Sequence, residues 1–73
     1  MKREILRVQV NGEIREVPDE LTLGQLVSQL SLAPERVAIE LNREVVRRAV
    51  WPETQVREGD QVEIVHFVGG GSV

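Results

Sequence analysis

Asn11-Gly12 stands between two alternating segments, and this constrains the fold more than any other feature of the chain. In Leu6-Arg7-Val8-Gln9-Val10 the apolar side chains point one way and the polar ones the other, the pattern of a half-buried strand. Glu13-Ile14-Arg15-Glu16-Val17 alternates again, and Asn-Gly is the pair best suited to the two positive φ angles of a type I′ turn. The chain is therefore expected to open with a β-hairpin. Pro18-Asp19-Glu20 should end its pairing, because proline offers no amide hydrogen to a ladder.

A hairpin leaves an apolar side to be covered, and the next segment is built to cover it. Thr22 and Gln25 have the spacing of a capping box, and Leu21 before the cap can staple onto Leu26. Leu23, Leu26, Val27 and Leu30 then recur at helical spacing. Gly24 weakens that helix by up to ~1 kcal/mol relative to alanine, so packing must hold it. Ser31-Leu32-Ala33 leads to Pro34 on the far side of the connection.

Val37-Ala38-Ile39-Glu40-Leu41 reads as a strand with Val37, Ile39 and Leu41 inward, and Asn42-Arg43-Glu44 turns it toward a short partner, Val45-Val46. No period persists from Arg47 to Val56, which reads as an irregular loop pinned to the core by Val50, Trp51 and Val56, with Trp51 as its anchor. Arg57-Glu58-Gly59-Asp60 is a tight turn, and residues 61–68 form the longest strand.

With 73 residues there is room for one small core, burying roughly 60% of the surface the unfolded chain exposes. The economical packing is α+β: a mixed sheet of about four to five strands with one main helix across a single face. The first and last strands should lie side by side and parallel, since the segments between them supply the long crossover that parallel pairing needs. Leu6, Val8, Val10, Leu26, Val27, Leu30, Ile39, Val62 and Ile64 are the expected core. Residues 1–68 form the domain, and residues 69–73 a flexible glycine tail.

Composition excludes several classes of function. The net charge is −3, with Lys and Arg scattered rather than gathered into a stripe, and aromatic residues make up 3% of the chain. Nucleic acid is therefore not an expected partner. No apolar run approaches the ~18–20 residues that span a bilayer, and Met1-Lys2-Arg3-Glu4 leads into an alternating strand rather than a signal core, so the expectation is a cytoplasmic protein without a membrane partner. With no Cys, disulfides and thiolate chemistry are excluded, and with one His neither structural zinc nor any other metal site is expected.

The chain closes with Val65-His66-Phe67-Val68-Gly69-Gly70-Gly71-Ser72-Val73. Glycine lacks a Cβ, so such a tail can enter a slot closed to other residues. Within the last strand Val62, Ile64, His66 and Val68 share one face, and Gln61, Glu63, Val65 and Phe67 the other. If Val62 and Ile64 face the core, Val65 and Phe67 lie on the side the helix leaves open, where an exposed apolar pair suggests a docking surface. The plainer alternative tucks Phe67 under a loop. His66 reads as structural rather than catalytic, because no Ser, Cys or paired carboxylate has an evident reason to converge on it.

The order of elements, the Glu58-Gly59-Asp60 turn and the ending Val62-Glu63-Ile64-Val65-His66-Phe67-Val68-Gly69-Gly70-Gly71 together resemble the ubiquitin-like, β-grasp sulfur carriers of thiamin biosynthesis. Asn42-Arg43-Glu44-Val45-Val46, followed by basic residues and Trp51, resembles the family's middle segment, so that the likeness covers nearly the whole chain. It implies a protein co-substrate, not an enzyme. In that family the C-terminal glycine carboxylate attacks the α-phosphate of ATP on an adenylating enzyme. A persulfide on another protein then displaces AMP, and the resulting C-terminal thiocarboxylate feeds thiazole synthase. ATP, magnesium and general catalysis would belong to those partners, with no cofactor resident on the carrier and AMP and thiocarboxylate as transient modifications. By residue match Gly71 is the activated residue and Gly69 and Gly70 line the partner's channel. The docking surface inferred from strand parity, Val65 and Phe67, would then meet the adenylating enzyme.

The departure lies at the end, where Ser72-Val73 continues past Gly71 and leaves the reactive carboxylate in an amide. Either a peptidase removes the two residues, or they belong to an expression linker, which Gly-Gly-Gly-Ser resembles, or the chain is not a working carrier. Two other readings share the tail: the small sulfur-carrying subunit of molybdopterin synthase, and a ubiquitin-like modifier or interaction module without sulfur chemistry. The short chain and the His66-Phe67-Val68 ending favour thiamin.

Overall fold

Strand β1 (Ile5–Val10) and strand β2 (Glu13–Pro18) pair antiparallel, with Val10 opposite Glu13 across the turn. Asn11 and Gly12 have φ of 52° and 84°, the conformation that the Asn-Gly pair anticipates. The computed structural model describes residues 4–67. Pairing runs slightly further than proline suggests. Pro18 faces Ile5 as the last rung, and Asp19 N–H donates to the Glu4 carbonyl (3.0 Å), supplying beyond the proline the donor it lacks.

Helix α1 (Leu23–Gln29) begins with the anticipated capping box. The Gln25 N–H donates to Thr22 Oγ1 (3.1 Å), and the Thr22 N–H donates to Gln25 Oε1 (2.9 Å). A 3-10 turn, Pro34–Arg36, leads into β3 (Val37–Leu41), which pairs antiparallel with β4 (Glu44–Val46). Strand β5 (Gln61–His66) completes a mixed five-stranded sheet in the order β2-β1-β5-β3-β4. As expected, the first and last strands are parallel neighbours, through Gln9 with Gln61 and Val10 with Val62. On its other side β5 is antiparallel to β3 from Val37–His66 to Leu41–Val62.

The core lies between the sheet and α1. Leu6, Val8, Val10, Leu26, Val27, Ile39 and Val62 are buried, joined by Val17, Leu21, Leu23, Val37, Trp51 and Val56. Leu30 and Ile64, expected at its centre, are half-buried at its margin: Leu30 is the C-cap of α1, and Ile64 sits on the part of β5 that extends past the end of β1.

The segment after β4 differs from the expected irregular loop. Arg48–Glu53 winds into a 3-10 helix, which buries Trp51 and leaves Val50 42% exposed. Adjacent residues on such a helix face different directions, so Val50 and Trp51 cannot both reach the core. Trp51 is the anchor. The stretch that follows ties back to the start of α1, with Leu23 N–H donating to the Thr54 carbonyl (2.8 Å) and Val56 N–H to the Leu21 carbonyl (2.9 Å).

Two turns hold the start of β5. Gly59 has φ 83°, its N–H donates to the Arg7 carbonyl (2.8 Å), and the Arg7 N–H donates to Glu58 Oε1 (2.9 Å). Asn42, at φ 51° between β3 and β4, donates from Nδ2 to Asp60 Oδ1 (3.1 Å) and accepts the Gln61 N–H at Oδ1 (2.9 Å).

Candidate functional site

The exit strand organises the site. Alternation along β5 sends Val62 and Ile64 toward α1 and Glu63 and Val65 to the opposite face, with Phe67 continuing the same parity. Val65 and Phe67 are each 54% exposed, so Phe67 is not tucked under a loop. The pairing register sets Ala38 directly beside Val65 on the same open face, and Val45 lies on that face opposite Glu40. Directly opposite side chains lie ~4.5–5.5 Å apart at Cβ, so Ala38 and Val65 form one apolar patch, while Val45 is a diagonal neighbour of Ala38 at ~7–8 Å.

The sequence reading did not single out Ala38 and Val45, although the same period-two alternation marks them once the register is known. It also left out Ile5 and Ile14, which are 56% and 63% exposed on the β1–β2 side of the open face. Between them Arg7 and Glu16 approach to 3.7 Å, an exposed pair that contributes little to stability. Gln9, Gln61 and Glu63 form a polar band that separates Ile5 and Ile14 from Val65.

Two contacts fix where β5 leaves the sheet. Phe67 N–H donates to the Arg36 carbonyl (2.9 Å), carrying the antiparallel pairing with β3 one step past the strand's end. On the β1 side Asn11 Oδ1 accepts the Ile64 N–H (2.7 Å), and Asn11 Nδ2 donates to the Ile64 carbonyl (3.2 Å). Asn11 belongs to the site for this reason, and no local signal reveals it, because the turn alone explains an asparagine at that position.

His66 faces the helix side opposite Val37, is exposed, and lines a groove with Val10, Asn11, Leu30, Leu32 and Ile64. Among the described residues no group of three or more His, Asp or Glu is placed to hold a metal ion. No helix among them is long and apolar enough to cross a membrane. Gly69, Gly70 and Gly71 lie outside the described residues, as do Val68 and the boundary expected between domain and tail. The described part of the chain offers an exposed apolar face on β5, a strand held on its β3 edge as far as Phe67 and on its β1 edge as far as Ile64.

Comparison with known proteins gives this geometry its context. The ThiS family model matches residues 8–71, most of the chain. A crystal structure of the thiamine biosynthesis protein ThiS from Geobacter metallireducens superposes with a TM-score of 0.78 at 39% identity, covering 90% of this chain and 100% of that one. The sulfur carrier protein ThiS of Bacillus subtilis is 34% identical over 65 residues, covering 88% of this chain and 98% of that protein. A thiazole synthase of Magnetococcus marinus is 41% identical over 66 residues, or 90% of this chain, but the chain spans only 20% of that protein's length.

Proposed function

The chain belongs to the ThiS family, the sulfur carriers of thiamin biosynthesis with a ubiquitin-like β-grasp fold, and from that membership we propose that its own Gly71 carries the sulfur. The observation that supports this most directly is where the family match ends. It runs to Gly71, two residues before Val73, and so takes in all three glycines that follow the exit strand. The same match favours thiamin over the molybdopterin counterpart.

The carrier has no cysteine, so the sulfur must be held on a carbonyl carbon, and the chain terminus is where the backbone offers a carboxylate. Once Ser72-Val73 is removed, a Gly71 carboxylate oxygen attacks the α-phosphorus of ATP on the adenylating enzyme and pyrophosphate leaves. The acyl-adenylate is a far better electrophile than the carboxylate. The terminal sulfur of a protein persulfide then adds to the carbonyl carbon and AMP departs. Cleavage of the remaining S–S bond by a thiol releases the thiocarboxylate, and the donor sulfur and that thiol end as a disulfide. The protein is the substrate of these steps rather than their catalyst, and works in the cytoplasm, where ATP is at hand.

Gly69 to Gly71, extended, reach roughly 10 Å, enough to pass a carboxylate from the rim of the sheet into a recessed nucleotide site. Ordering three residues costs on the order of 3–6 kcal/mol, which docking through Val65 and Phe67 must offset. Thiazole synthase, the name carried by the Magnetococcus relative, is the consumer of the thiocarboxylate in this reading.

ATP–pyrophosphate exchange with the matched adenylating enzyme tests the proposal. A chain ending at Gly71 should support exchange, and a chain ending at Val73 should not until trimmed. Equal exchange by the Val73 form, with its intact mass verified, would refute Gly71 as the activated residue. The mass of the protein isolated from its own cells should show one oxygen replaced by sulfur on a chain ending at Gly71.

A further inference from the structure

Strand β5 outruns β1. Their pairing stops at Val10 with Val62, and the last main-chain bond between them runs from the Asn11 N–H to the Val62 carbonyl (2.9 Å). At Asn11 the hairpin turns away, while β5 continues through His66. The edge of β5 that faced β1 would lose its partner at Ile64, and the Asn11 side chain takes up that place. Its carboxamide carries the same donor and acceptor as a peptide unit. With Oδ1 accepting from Ile64 N–H at 2.7 Å and Nδ2 donating to the Ile64 carbonyl at 3.2 Å, it continues the ladder by one rung.

The turn does not by itself require this side chain. Glycine meets the demand for positive φ at position 11 at least as well as asparagine. Aspartate would also suit the turn, but it would set a carboxylate oxygen against the Ile64 carbonyl where the amide now donates. The residue after Ile64 is Val65, and Phe67 follows two further on. On the opposite edge β3 holds β5 through Ala38 beside Val65 and through the Phe67 N–H to Arg36 carbonyl bond. Ile64 is thus gripped on its β1 edge immediately before the exposed pair.

We propose that Asn11 is a positioning residue: its clamp on Ile64 sets the direction in which β5 presents Val65 and Phe67 to the adenylating enzyme. This rests on the carrier reading above. The molecule supplies its own control in Asn42, another asparagine at positive φ in a turn whose side chain grips β5, but at Gln61, remote from the exit.

The test uses the chain ending at Gly71 and compares Asn11→Gly, Asn11→Asp and Asn42→Gly with the parent, by amide hydrogen exchange and by ATP–pyrophosphate exchange over a range of carrier concentrations. In Asn11→Gly the Ile64 amide should exchange roughly tenfold faster or more, because its partner is gone. The KM for the carrier should rise roughly three- to tenfold at unchanged kcat, the size of effect expected from losing one or two net hydrogen bonds. Asn11→Asp keeps the acceptor for the Ile64 N–H and should fall between the two; it decides the matter if Asn11→Gly fails to fold. Asn42→Gly should lose stability yet keep the parental KM. A parental KM in both Asn11 variants would overturn the positioning role, as would an equal rise in Asn42→Gly, which would mark general loosening of the domain. Absence of exchange with the parent would instead overturn the carrier reading, and the positioning role with it.

Discussion

The indole N–H of Trp51 donates to the Val46 carbonyl across 2.9 Å, joining the 3-10 helix to the edge strand β4. The ring is 3% exposed, so a single residue both fills the core and fastens the segment between β4 and β5. Trp51→Phe removes the donor while keeping an aromatic ring, and should cost about 1–2 kcal/mol. Trp51→Ala also empties the space and should cost about 3–5 kcal/mol. Urea denaturation of the two variants measures both values; a Trp51→Phe midpoint equal to that of the parent would mean that the hydrogen bond contributes nothing beyond ring packing.

Leu26 tests the packing of α1 against the sheet. It is 1% exposed among the apolar side chains of α1 and the inner sheet face. Truncation to alanine should cost about 2–5 kcal/mol, a large part of what so small a domain has. A denaturation midpoint close to that of the parent would contradict the burial of this helix.

Gly24 offers the opposite sign. A Cβ built there would meet Pro52 backbone atoms and Thr22 Oγ1 at 3.9 Å, ordinary van der Waals contact. Gly24→Ala should therefore keep the fold and raise stability by up to about 1 kcal/mol, through helix propensity and a less mobile unfolded chain. A lowered thermal midpoint would mean that the 3-10 helix packs too tightly against α1 to admit a methyl group.

Phe67 separates docking from folding. Its side chain is half exposed on the open face, so Phe67→Ala should change the unfolding free energy by less than about 1 kcal/mol. If it is an anchor for the adenylating enzyme, affinity for that partner should fall by at least roughly tenfold, as for an aromatic residue central to an interface. Calorimetric titration of parent and variant reads this directly, and unchanged affinity would remove Phe67 from the docking surface.

The parts legible in the sequence are those decided over short distances. Asn11-Gly12 specifies its turn because few residue pairs tolerate two successive positive φ angles, and Thr22 with Gln25 specifies the start of α1 because both partners of the cap lie within one turn. Alternation along β5 was enough to set Val65 and Phe67 opposite Val62 and Ile64, since parity is a property of a single strand. The chemistry proposed for Gly71 rests on resemblance to a family alone, because a glycine has no side chain from which to argue.

Tertiary structure decided what depends on partners distant in the chain. Val50, Trp51 and Val56 are similarly apolar on paper, and only the winding of Arg48–Glu53 against α1 selects Trp51 for burial and turns Val50 outward. Parity likewise divides the residues of β1 and β2 into two faces, yet Ile5 and Ile14 are exposed because the single helix covers the other one. Asn11 shows the limit most clearly. Its sequence neighbours account fully for a turn, while its bonds to Ile64 join residues 53 positions apart. Local conformational preference could write the turn; only the sheet order and its offset register, which make β5 the neighbour of β1 and carry it past the end of that strand, create the unpaired edge that the asparagine fills.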